Sequence, residues 1–509
     1  MKYTSIKKWL IGTLLTLIII SVVSYFAIRY QIKQHSGANT EVVNPSIFKT
    51  SSSPLAIKNA SVLSTDCTQM VDSLTILIKG NKIINVGKNI NITNEYKVID
   101  GTGKFLIPGL VDTHAHLHDS KNDLLLFIAN GVTHISEMFG QERHLKWRKE
   151  AEEGALSPQI FVATRKVGSQ NGLMRKIKSR YFGSQANYTT PEKAQKAVRK
   201  YKEQGYDAIK LSTFLNSEIY KALTDEAKKQ GIPTIGHLTS KVSLKGLYTS
   251  GQSQLAHIEE ITKNTMHDFG GLHSGNTKEY LTYLKKNANE IAMKLKEIDI
   301  VVSSTVWIIE SIPKQNFDIE NFLKTVKLEY QNPGEIEGSK FAKGWLPGNN
   351  SYENMNIKNN LELTKKHELF WKTYVDAIHI MANALINNGV TIVTGTDSNT
   401  AGVVAGFSLH DEFESLHKCG MTNSKILYAT TVAPAKWMQS NAGKIETGYR
   451  ADLVLLDKNP LEDIKNTKTI NAVIVNGKFL DRIILDKILQ SIKAANSKSR
   501  KKSIKKFII

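Results

Sequence analysis

The central part of the chain alternates short apolar runs with longer amphipathic stretches. Eight runs resemble strands: FLIPGLVDTHAH, GVTHISEM, QIFVATR, YDAIKLS, IPTIGHL, SQLAHI, DIVVSSTVW and GVTIVTGTDS. They are followed by helix-compatible sequence such as PEKAQKAVRKYKEQG. Strands that alternate with helices form parallel sheets, and eight such units form a (β/α)8 TIM barrel. We therefore predict an α/β fold with a TIM barrel over residues 106–439.

Shorter β segments flank this region on both sides. Residues 55–105 contain AIKNASVLS and LTILIKGNKIINVG, and residues 440–482 contain ADLVLLD and INAVIVNGKFL. Glycine and asparagine between such runs predict hairpins. We predict that the two flanks form one small composite β-sandwich. The long spacing before the eighth strand predicts a helical insertion at residues 310–370, over the barrel mouth.

The N-terminal segment contains an uncharged, largely apolar run of 20 residues, Trp9–Ile28. This length spans the hydrocarbon core of a bilayer as a helix. Residues 1–34 are therefore predicted to be an uncleaved membrane anchor, and residues 35–54 a polar linker. Three lysines precede the run, which favours a cytoplasmic N-terminus. The expected location is the bacterial inner membrane, crossed once, with the body on the periplasmic side.

Composition and charge exclude several classes of protein. The 509 residues are 41% hydrophobic and 22% charged, as in ordinary globular proteins, and two cysteines are too few for a disulfide scaffold. The net charge of +20 is concentrated at the chain ends, with five basic residues in 1–34 and eight from Lys487 onward. The basic tail, residues 483–509, has a single aromatic residue, so no nucleic-acid partner is expected. It is either an amphipathic helix on anionic lipid or a solvated tail.

Metal-binding side chains fall at the C-terminal ends of the predicted strands, where TIM barrels build their active sites. They are His114 and His116 on strand 1, Lys210 on strand 4, His237 on strand 5, His257 on strand 6 and Asp397 on strand 8. Residues two apart on a strand point to the same side, so the first two histidines suit one metal ion. Four histidines and one aspartate match the ligands of zinc or a neighbouring divalent ion.

The motifs PGLVDTHAHLH, AIKLS, IGHL, AHIEE and GTDS resemble the metal-binding series of the amidohydrolase superfamily. The resemblance spans residues 55–482 and is strongest to the imidazolonepropionase-like and prolidase-like group, which carries a lysine on strand 4. Two departures, AHIEE in place of the commoner Glu-His pair and the long insertion before strand 8, lie outside the ligands. They bear on the substrate.

The resemblance implies a centre of two divalent ions, with zinc the expected metal, bridged by a carboxylated Lys210. One ion is implied to bind His114, His116 and Asp397, and the other His237 and His257. A metal-activated hydroxide would hydrolyse an amide C–N bond, with Asp397 as the catalytic residue that transfers the proton. The implied substrate is a small-molecule amide, either a dipeptide or an N-acyl amino acid.

Three alternatives stay open on the sequence. A mononuclear deaminase would use the same histidines, but such enzymes need a glutamate soon after the strand-5 histidine, and Leu238, Thr239 and Ser240 follow here. A hydrolase of cyclic amides or imidazolones is the second alternative, and a catalytically inactive barrel that binds a ligand is the third. Candidates to line the mouth are Glu137, Arg165, Ser303, Ser304, Thr305 and Trp307.

Overall fold

The computed structural model describes residues 2–50, 53–172, 185–354, 357 and 360–508. Strands β1 to β18, in chain order, are Leu55–Leu63, Met70–Lys79, Lys82–Gly87, Lys97–Asp100, Phe105–Pro108, Leu110–Ala115, Val132–Glu137, Gln159–Val162, Val167–Gly168, Ala186–Asn187, Ile209–Leu211, Thr234–Gly236, Gln254–Leu255, Val301–Ser303, Thr391–Val393, Leu453–Leu456, Ile470–Val475 and Lys478–Asp481. Helices α1 to α16, in chain order, are Lys2–His35, Asp123–Ala129, Glu142–Glu152, Pro191–Glu203, Ser217–Gln230, Ser243–Ser250, Ile258–Phe269, Thr277–Glu297, Val306–Phe317, Ile319–Thr325, Pro333–Glu337, Leu361–Asn387, Phe407–Lys418, Asn423–Thr430, Val432–Trp437 and Arg482–Ser499.

Eight parallel strands form a ring of hydrogen-bonded neighbours. β6, β7 and β8 pair in that order, and β11 to β15 pair in chain order, with the short β9 and β10 attached beside β11. One seam closes through the parallel bridge between Ala163, after β8, and Ala208, before β11. At the other seam the N–H of Thr113 donates to the carbonyl of Thr394 at 2.8 Å. This is a TIM-barrel-like α/β arrangement, and the carboxyl ends of its strands meet on one face.

The helices around the ring begin and end where local chemistry satisfies their terminal backbone groups. α4 begins with Pro191 after Thr190, whose hydroxyl accepts from the N–H of Lys193. α5 begins after Asn216, whose Oδ1 accepts from the N–H of Ile219 at 2.8 Å, and it ends at Gly231 with φ +61°. Both termini follow the usual preferences of N-caps and of left-handed C-terminal glycines.

The two flanks of the barrel region pair in one continuous sheet. Its order is β18-β17-β16-β5-β1-β2-β3, with β4 beside β1. β5 joins the halves, because it pairs antiparallel with β16 and parallel with β1. The core beneath the sheet contains Ile76, Leu106, Leu453 and Ile474, all fully buried. Strands from both ends of the chain thus close one apolar core that neither end forms alone.

The N-terminal helix α1 is long and apolar enough to cross a membrane. Its segment Lys7–His35 has a mean hydropathy of 2.3 over its most apolar window, and none of that window is buried against the protein. Large side chains such as Trp9 and Phe26 are 70% and 66% exposed. An exposed apolar helix of this length is unfavourable in water and favourable in lipid.

Residues 35–50 pack against the body, although the sequence predicted a polar tether there. The Thr40 hydroxyl donates to Oδ1 of Asn332 at 2.8 Å, and the N–H of Val43 donates to Oδ1 of Asn122 at 2.9 Å. Val43 and Phe48 are buried in the main core. The prediction of a polar tether was wrong for these residues. Isolated apolar side chains such as Val43 and Phe48 do not recur at helical or strand spacing, so the sequence gives no periodic signal that they are buried.

The insertion predicted at residues 310–370 is helical only in part. α9, α10 and α11 cover its first half, whereas residues 338–354 contain no helix. Phe322 and Trp345 of the insertion pack in one cluster with Ile504 and Phe507 of the tail. The insertion and the tail therefore share a core.

The basic tail forms α16, and protein covers its apolar face. Leu485, Ile488 and Ile492 are fully buried, and α16 packs on α2. Both expectations for residues 483–509 need correction within the part described, up to residue 508. The tail is an amphipathic helix, but its apolar side contacts the barrel and not anionic lipid. A helical period identifies an apolar face without identifying what covers it.

Truncating this face should destabilise the folded protein. Ile488→Ala is expected to lower the free energy of unfolding by about 2–5 kcal/mol, since it leaves a cavity in the α16–α2 contact. Ile483→Ala is the matched control, because Ile483 lies on the same helix and is 65% exposed. Denaturation of the detergent-solubilised protein measures both changes. Equal stability of the two variants would contradict the packing described.

Candidate metal centre

β6 and the loop after β15 bring three metal-binding groups together. His114 lies on β6 and His116 directly follows that strand. The Nε2 atoms of His114 and His116 lie 3.4 and 2.9 Å from Oδ1 of Asp397. One ligand atom from each of the three residues lies within 4.8 Å of the others. This spacing lets one ion contact all three.

Lys210 reaches the same point from β11. The side chain is fully buried, and its Nζ lies 3.2 Å from Nε2 of His114. Burial, together with the charge of Lys166, lowers the pKa of the Lys210 ammonium to about 7. A lysine whose amine is readily neutral at physiological pH has a nucleophilic lone pair, unlike the solvated lysines of the surface.

His237 and His257 complete the cluster from the ends of β12 and β13. The ring centroids of His114 and His257 are 4.4 Å apart, and those of His237 and His257 are 5.2 Å apart. Both rings are largely buried. The structure therefore brings all six residues singled out in the sequence to the carboxyl ends of the parallel strands.

The outer ring nitrogens of three histidines are held by protein groups. Nδ1 of His114 donates to the carbonyl of Ala256 at 3.2 Å, and Nδ1 of His237 donates to Oε1 of Glu260 at 3.2 Å. Because a carbonyl and a carboxylate only accept, these rings carry their proton on Nδ1 and keep a lone pair on Nε2. Nδ1 of His257 lies 2.8 Å from the hydroxyl of Thr305. Such outer contacts orient metal-binding histidines.

The electrostatics keep the cluster in the form that binds cations. Burial holds the pKa values of His114, His237 and His257 well below the ordinary value, and the neighbouring cationic groups contribute. Burial alone would raise the pKa of Asp397, but the nearby imidazoles hold it well below its usual range. The set consists of neutral imidazoles and an ionised carboxylate, and it fits a divalent metal ion.

Asp112 connects the two segments that carry the ligands. Its Oδ1 accepts from the N–H groups of His114 and Thr396, both at 3.1 Å, and its Oδ2 accepts from the hydroxyl of Thr396 at 2.6 Å. Burial raises the pKa of Asp112 to about 7. The sequence analysis missed Asp112 and Glu260. The sequence did contain a signal for each. Asp112 lies two residues before His114 on the same strand, and Glu260 is the second acid of the AHIEE motif.

Of the six residues predicted to line the mouth of the barrel, only Arg165 lines the cavity above the metal centre. A cavity of about 670 Å³ opens above His116 and Asp397, and Arg165 lines it. Glu137 is instead fully buried and accepts from the N–H groups of Leu117 and Phe139. The other four also lie away from the cavity wall. The hydroxyl of Ser303 is hydrogen-bonded to that of Thr113, and the hydroxyl of Ser304 accepts from the N–H of Gly395. Thr305 contacts Nδ1 of His257, and the Lys314 ammonium lies over the ring of Trp307.

The family model described as "Amidohydrolase family" matches residues 105–480. The chain belongs to the amidohydrolase family. The resemblance seen in the motifs is thereby confirmed, and this amidohydrolase is an enzyme, a hydrolase acting on carbon–nitrogen bonds. The alternative of a catalytically inactive binding protein is set aside.

Its relatives and structural neighbours carry different activities. A protein named 5'-deoxyadenosine deaminase from Methanosphaera stadtmanae is 25% identical over 447 residues, which cover 84% of this chain and 93% of that protein. A 5-methylthioadenosine/S-adenosylhomocysteine deaminase from Thermococcus kodakarensis is 22% identical over 457 residues, 84% of this chain and 93% of the relative. Among solved structures, a bottromycin amidohydrolase aligns with a TM-score of 0.68 at 18% identity over 91% of this chain and 96% of its own. The structure of a Xaa-Pro dipeptidase aligns with a TM-score of 0.57 at 18% identity, and the alignment covers 84% of this chain and 100% of the dipeptidase chain. At these identities the structures show a common fold.

Removing the acid behind His237 should weaken metal binding by this amidohydrolase. Glu260→Gln is expected to lower the affinity for zinc about 10–100-fold, because the ring of His237 loses its charged acceptor. Glu259→Gln is the matched control, since Glu259 precedes it on α7 and accepts from the hydroxyl of Tyr374 at 2.6 Å. Titration of zinc against a chelator measures both variants. Equal affinities would argue against His237 as a ligand.

Proposed function

We propose that the protein is a binuclear metal-dependent amidohydrolase that hydrolyses a linear amide, namely a dipeptide or an N-acyl amino acid. The observation that carries the proposal is the buried Lys210 amine, 3.2 Å from Nε2 of His114, with a pKa of about 7. A neutral amine reacts with carbon dioxide to form a carbamate, which presents two anionic oxygens. A protonated lysine at this point would repel cations instead.

The donor set supports two ions, with zinc as the expected metal. His114, His116 and Asp397 would hold one, His237 and His257 the other, and a carboxylated Lys210 would bridge them. Divalent ions held by these residues would lower the pKa of a bound water molecule and would polarise the carbonyl group of the substrate. The chain's own contribution is the Asp397 carboxylate, which accepts the proton of the attacking water and donates it to the leaving nitrogen. The ring of strands that presents these groups is proposed to be a closed (β/α)8 barrel.

The cavity wall supports a substrate with a carboxylate. Arg143, Arg165 and Lys166 line it. Arg143 forms an ion pair with Asp119, which is the one acidic residue on the wall besides Asp397 among the lining residues described. A surplus of cationic groups on the wall of the cavity favours a substrate that carries a carboxylate.

Deamination of a nucleoside is the second candidate, because the relatives named above are deaminases. That reaction requires an acid that reaches the substrate, and no glutamate lines the cavity in the part of the chain described. Glu260 lies behind His237, where its carboxylate accepts from Nδ1 of His237 and the N–H of Leu238. The buried lysine also has no role in a mononuclear reaction. Both points favour the amide hydrolase over the deaminase and leave hydrolysis of a cyclic amide as a variant of the same chemistry.

A substrate screen tests the choice. Full-length protein, purified in detergent and loaded with zinc, is supplied with N-acyl amino acids, dipeptides with a C-terminal proline, cyclic amides and 5'-substituted adenosines. Release of amino acid from the first two classes and no ammonia from the adenosines is the expected result. Ammonia release with one bound metal ion per chain would establish the deaminase instead. Incubation with ¹³C-labelled carbon dioxide should give a carbamate signal that is lost in Lys210→Arg.

For location, we propose a single-pass anchor in the bacterial inner membrane with the catalytic body on the periplasmic side. The exposed apolar helix and the hydrogen bonds of Gln31 and Gln34, in its last turns, to the body support an anchor that stays attached. Protease added to intact spheroplasts is expected to digest the body. Digestion only after lysis would reverse the orientation.

A further inference from the structure

The C-terminal end of α1 is fixed to three separate parts of the body. Oε1 of Gln31 accepts from the N–H of Lys340 in the insertion at 3.0 Å. The carbonyl of Ser36 accepts from the N–H of Asp119, in the loop after β6, at 2.9 Å. Oε1 of Gln34 accepts from the ammonium of Lys501 in the tail at 2.9 Å. The end of the helix therefore has a defined position on the protein.

That position is the wall of the catalytic cavity. Arg29, Ile32 and His35 line the same cavity as His116 and Asp397. These three residues follow one another at helical spacing, so one face of the last two turns of α1 looks over the metal centre. The segment that precedes them is the exposed apolar run that ends at Ile28.

The distance from the apolar run to the cavity is short. A helix rises about 1.5 Å per residue, so the seven residues from Ile28 to His35 span about 10 Å. The polar headgroup layer on each side of a bilayer is about 5–8 Å deep, so Arg29 lies within that layer and His35 lies just beyond it. With the apolar run in the hydrocarbon, the cavity mouth beside Arg29 lies in the headgroup layer of the same membrane.

The rim carries the two chemistries that an amphiphile requires. Arg29, Arg165 and Lys166 provide positive charge. Phe139 and Phe341 provide apolar surface, and Phe341 remains 54% exposed at the rim. Cationic groups attract the headgroup of an anionic molecule, and exposed aromatic groups suit the membrane interface.

We propose that the substrate is a long-chain N-acyl amino acid taken from the membrane surface, with its carboxylate at the cationic rim and its acyl chain beside α1. The proposal rests on the amide hydrolase function proposed above and specifies its substrate class. Water adds its oxygen to the acyl carbon, the C–N bond breaks, and the leaving nitrogen takes one proton. The products are a fatty acid, which stays in the bilayer, and a free amino acid.

The test uses full-length, zinc-loaded protein in phosphatidylcholine nanodiscs. N-acetyl, N-octanoyl and N-palmitoyl forms of one amino acid are compared, each also with its carboxylate blocked as a carboxamide. We expect kcat/KM to be at least about tenfold higher for the palmitoyl form than for the acetyl form, because the apolar chain adds binding at the rim. Blocking the carboxylate is expected to lower kcat/KM about tenfold.

A pair of variants tests whether α1 contacts the acyl chain of the bound substrate. Ile32→Asp is expected to lower the palmitoyl-to-acetyl ratio of kcat/KM about tenfold, since it places a charge beside the acyl chain. Val42→Asp is the matched control, because Val42 is 56% exposed, lies outside the cavity lining and should leave the ratio unchanged. The ratio is insensitive to the fraction of folded protein, so partial misfolding of a variant does not mimic the effect.

Equal or higher kcat/KM for the acetyl form in nanodiscs would overturn the membrane substrate and leave the amide hydrolase standing. Equal ratios in Ile32→Asp and the wild type would overturn the role of α1. If no N-acyl amino acid or dipeptide of any chain length is hydrolysed by protein that holds two zinc ions, the proposed function itself fails, and this inference with it.

Discussion

Lys210→Ala is expected to abolish most amide hydrolysis, lowering kcat by about a thousandfold or more. The buried amine lies within hydrogen-bond distance of the His114 ring, and alanine leaves no anionic bridge between the two proposed ions. Metal content should fall below two ions per chain. Acetate or propionate should restore part of the activity, because a carboxylate fits the vacated space and presents two oxygens.

Lys210→Arg distinguishes a role of Lys210 as a carbamate from a role as a positive charge. A guanidinium stays protonated and cannot be carboxylated under these conditions, so this variant should be as inactive as Lys210→Ala and should not respond to acetate. Lys221→Ala, on the surface of α5, is the control for loss of a lysine. Metal analysis and amide hydrolysis measure all three variants. Near-normal hydrolysis with two metals in Lys210→Arg would contradict the binuclear proposal and favour a mononuclear centre.

Asp397→Asn is the second substitution with a large expected effect, a loss of about 10²–10⁴-fold in kcat. Asparagine has nearly the same size but cannot accept and return a proton. The carboxylate lies 2.9 Å from Nε2 of His116, and the surrounding imidazoles hold its pKa well below the usual range, so it is ionised throughout the working pH range. The negative charge of Asp397 also balances part of the positive charge of the proposed metal ions, so Asp397→Asn should lower the metal affinity as well.

The control for this substitution is Asp411→Asn, since Asp411 pairs with Lys468 away from the cavity. Steady-state kinetics and metal analysis at a single saturating zinc concentration separate the two effects of Asp397→Asn. A variant that binds two ions and keeps more than about a tenth of the wild-type kcat would remove Asp397 from proton transfer.

The pattern of apolar and polar positions determined the succession of strands and helices and the candidate ligands. The eight apolar runs contain the eight strands of the parallel ring, because a buried parallel strand reads as a continuous apolar segment, and the first run also contains β5 of the flanking sheet. The alternation of His114 with His116 placed both near Asp397, since the carboxyl ends of parallel strands meet on one face. These are consequences of local periodicity and of a fold with few alternatives.

Tertiary structure alone decided the contacts that sequence spacing does not encode. Glu260 belongs to the strand-6 motif AHIEE but contacts the strand-5 histidine, His237, and Thr305 contacts His257 from the end of the next strand. The end of α1 lies against the cavity, although its sequence indicated a membrane span and nothing more. The tail showed an amphipathic period, but that period does not reveal that the barrel covers its apolar face. Periodicity reports which side of an element is apolar, whereas the partner of that side depends on chain segments far apart in sequence.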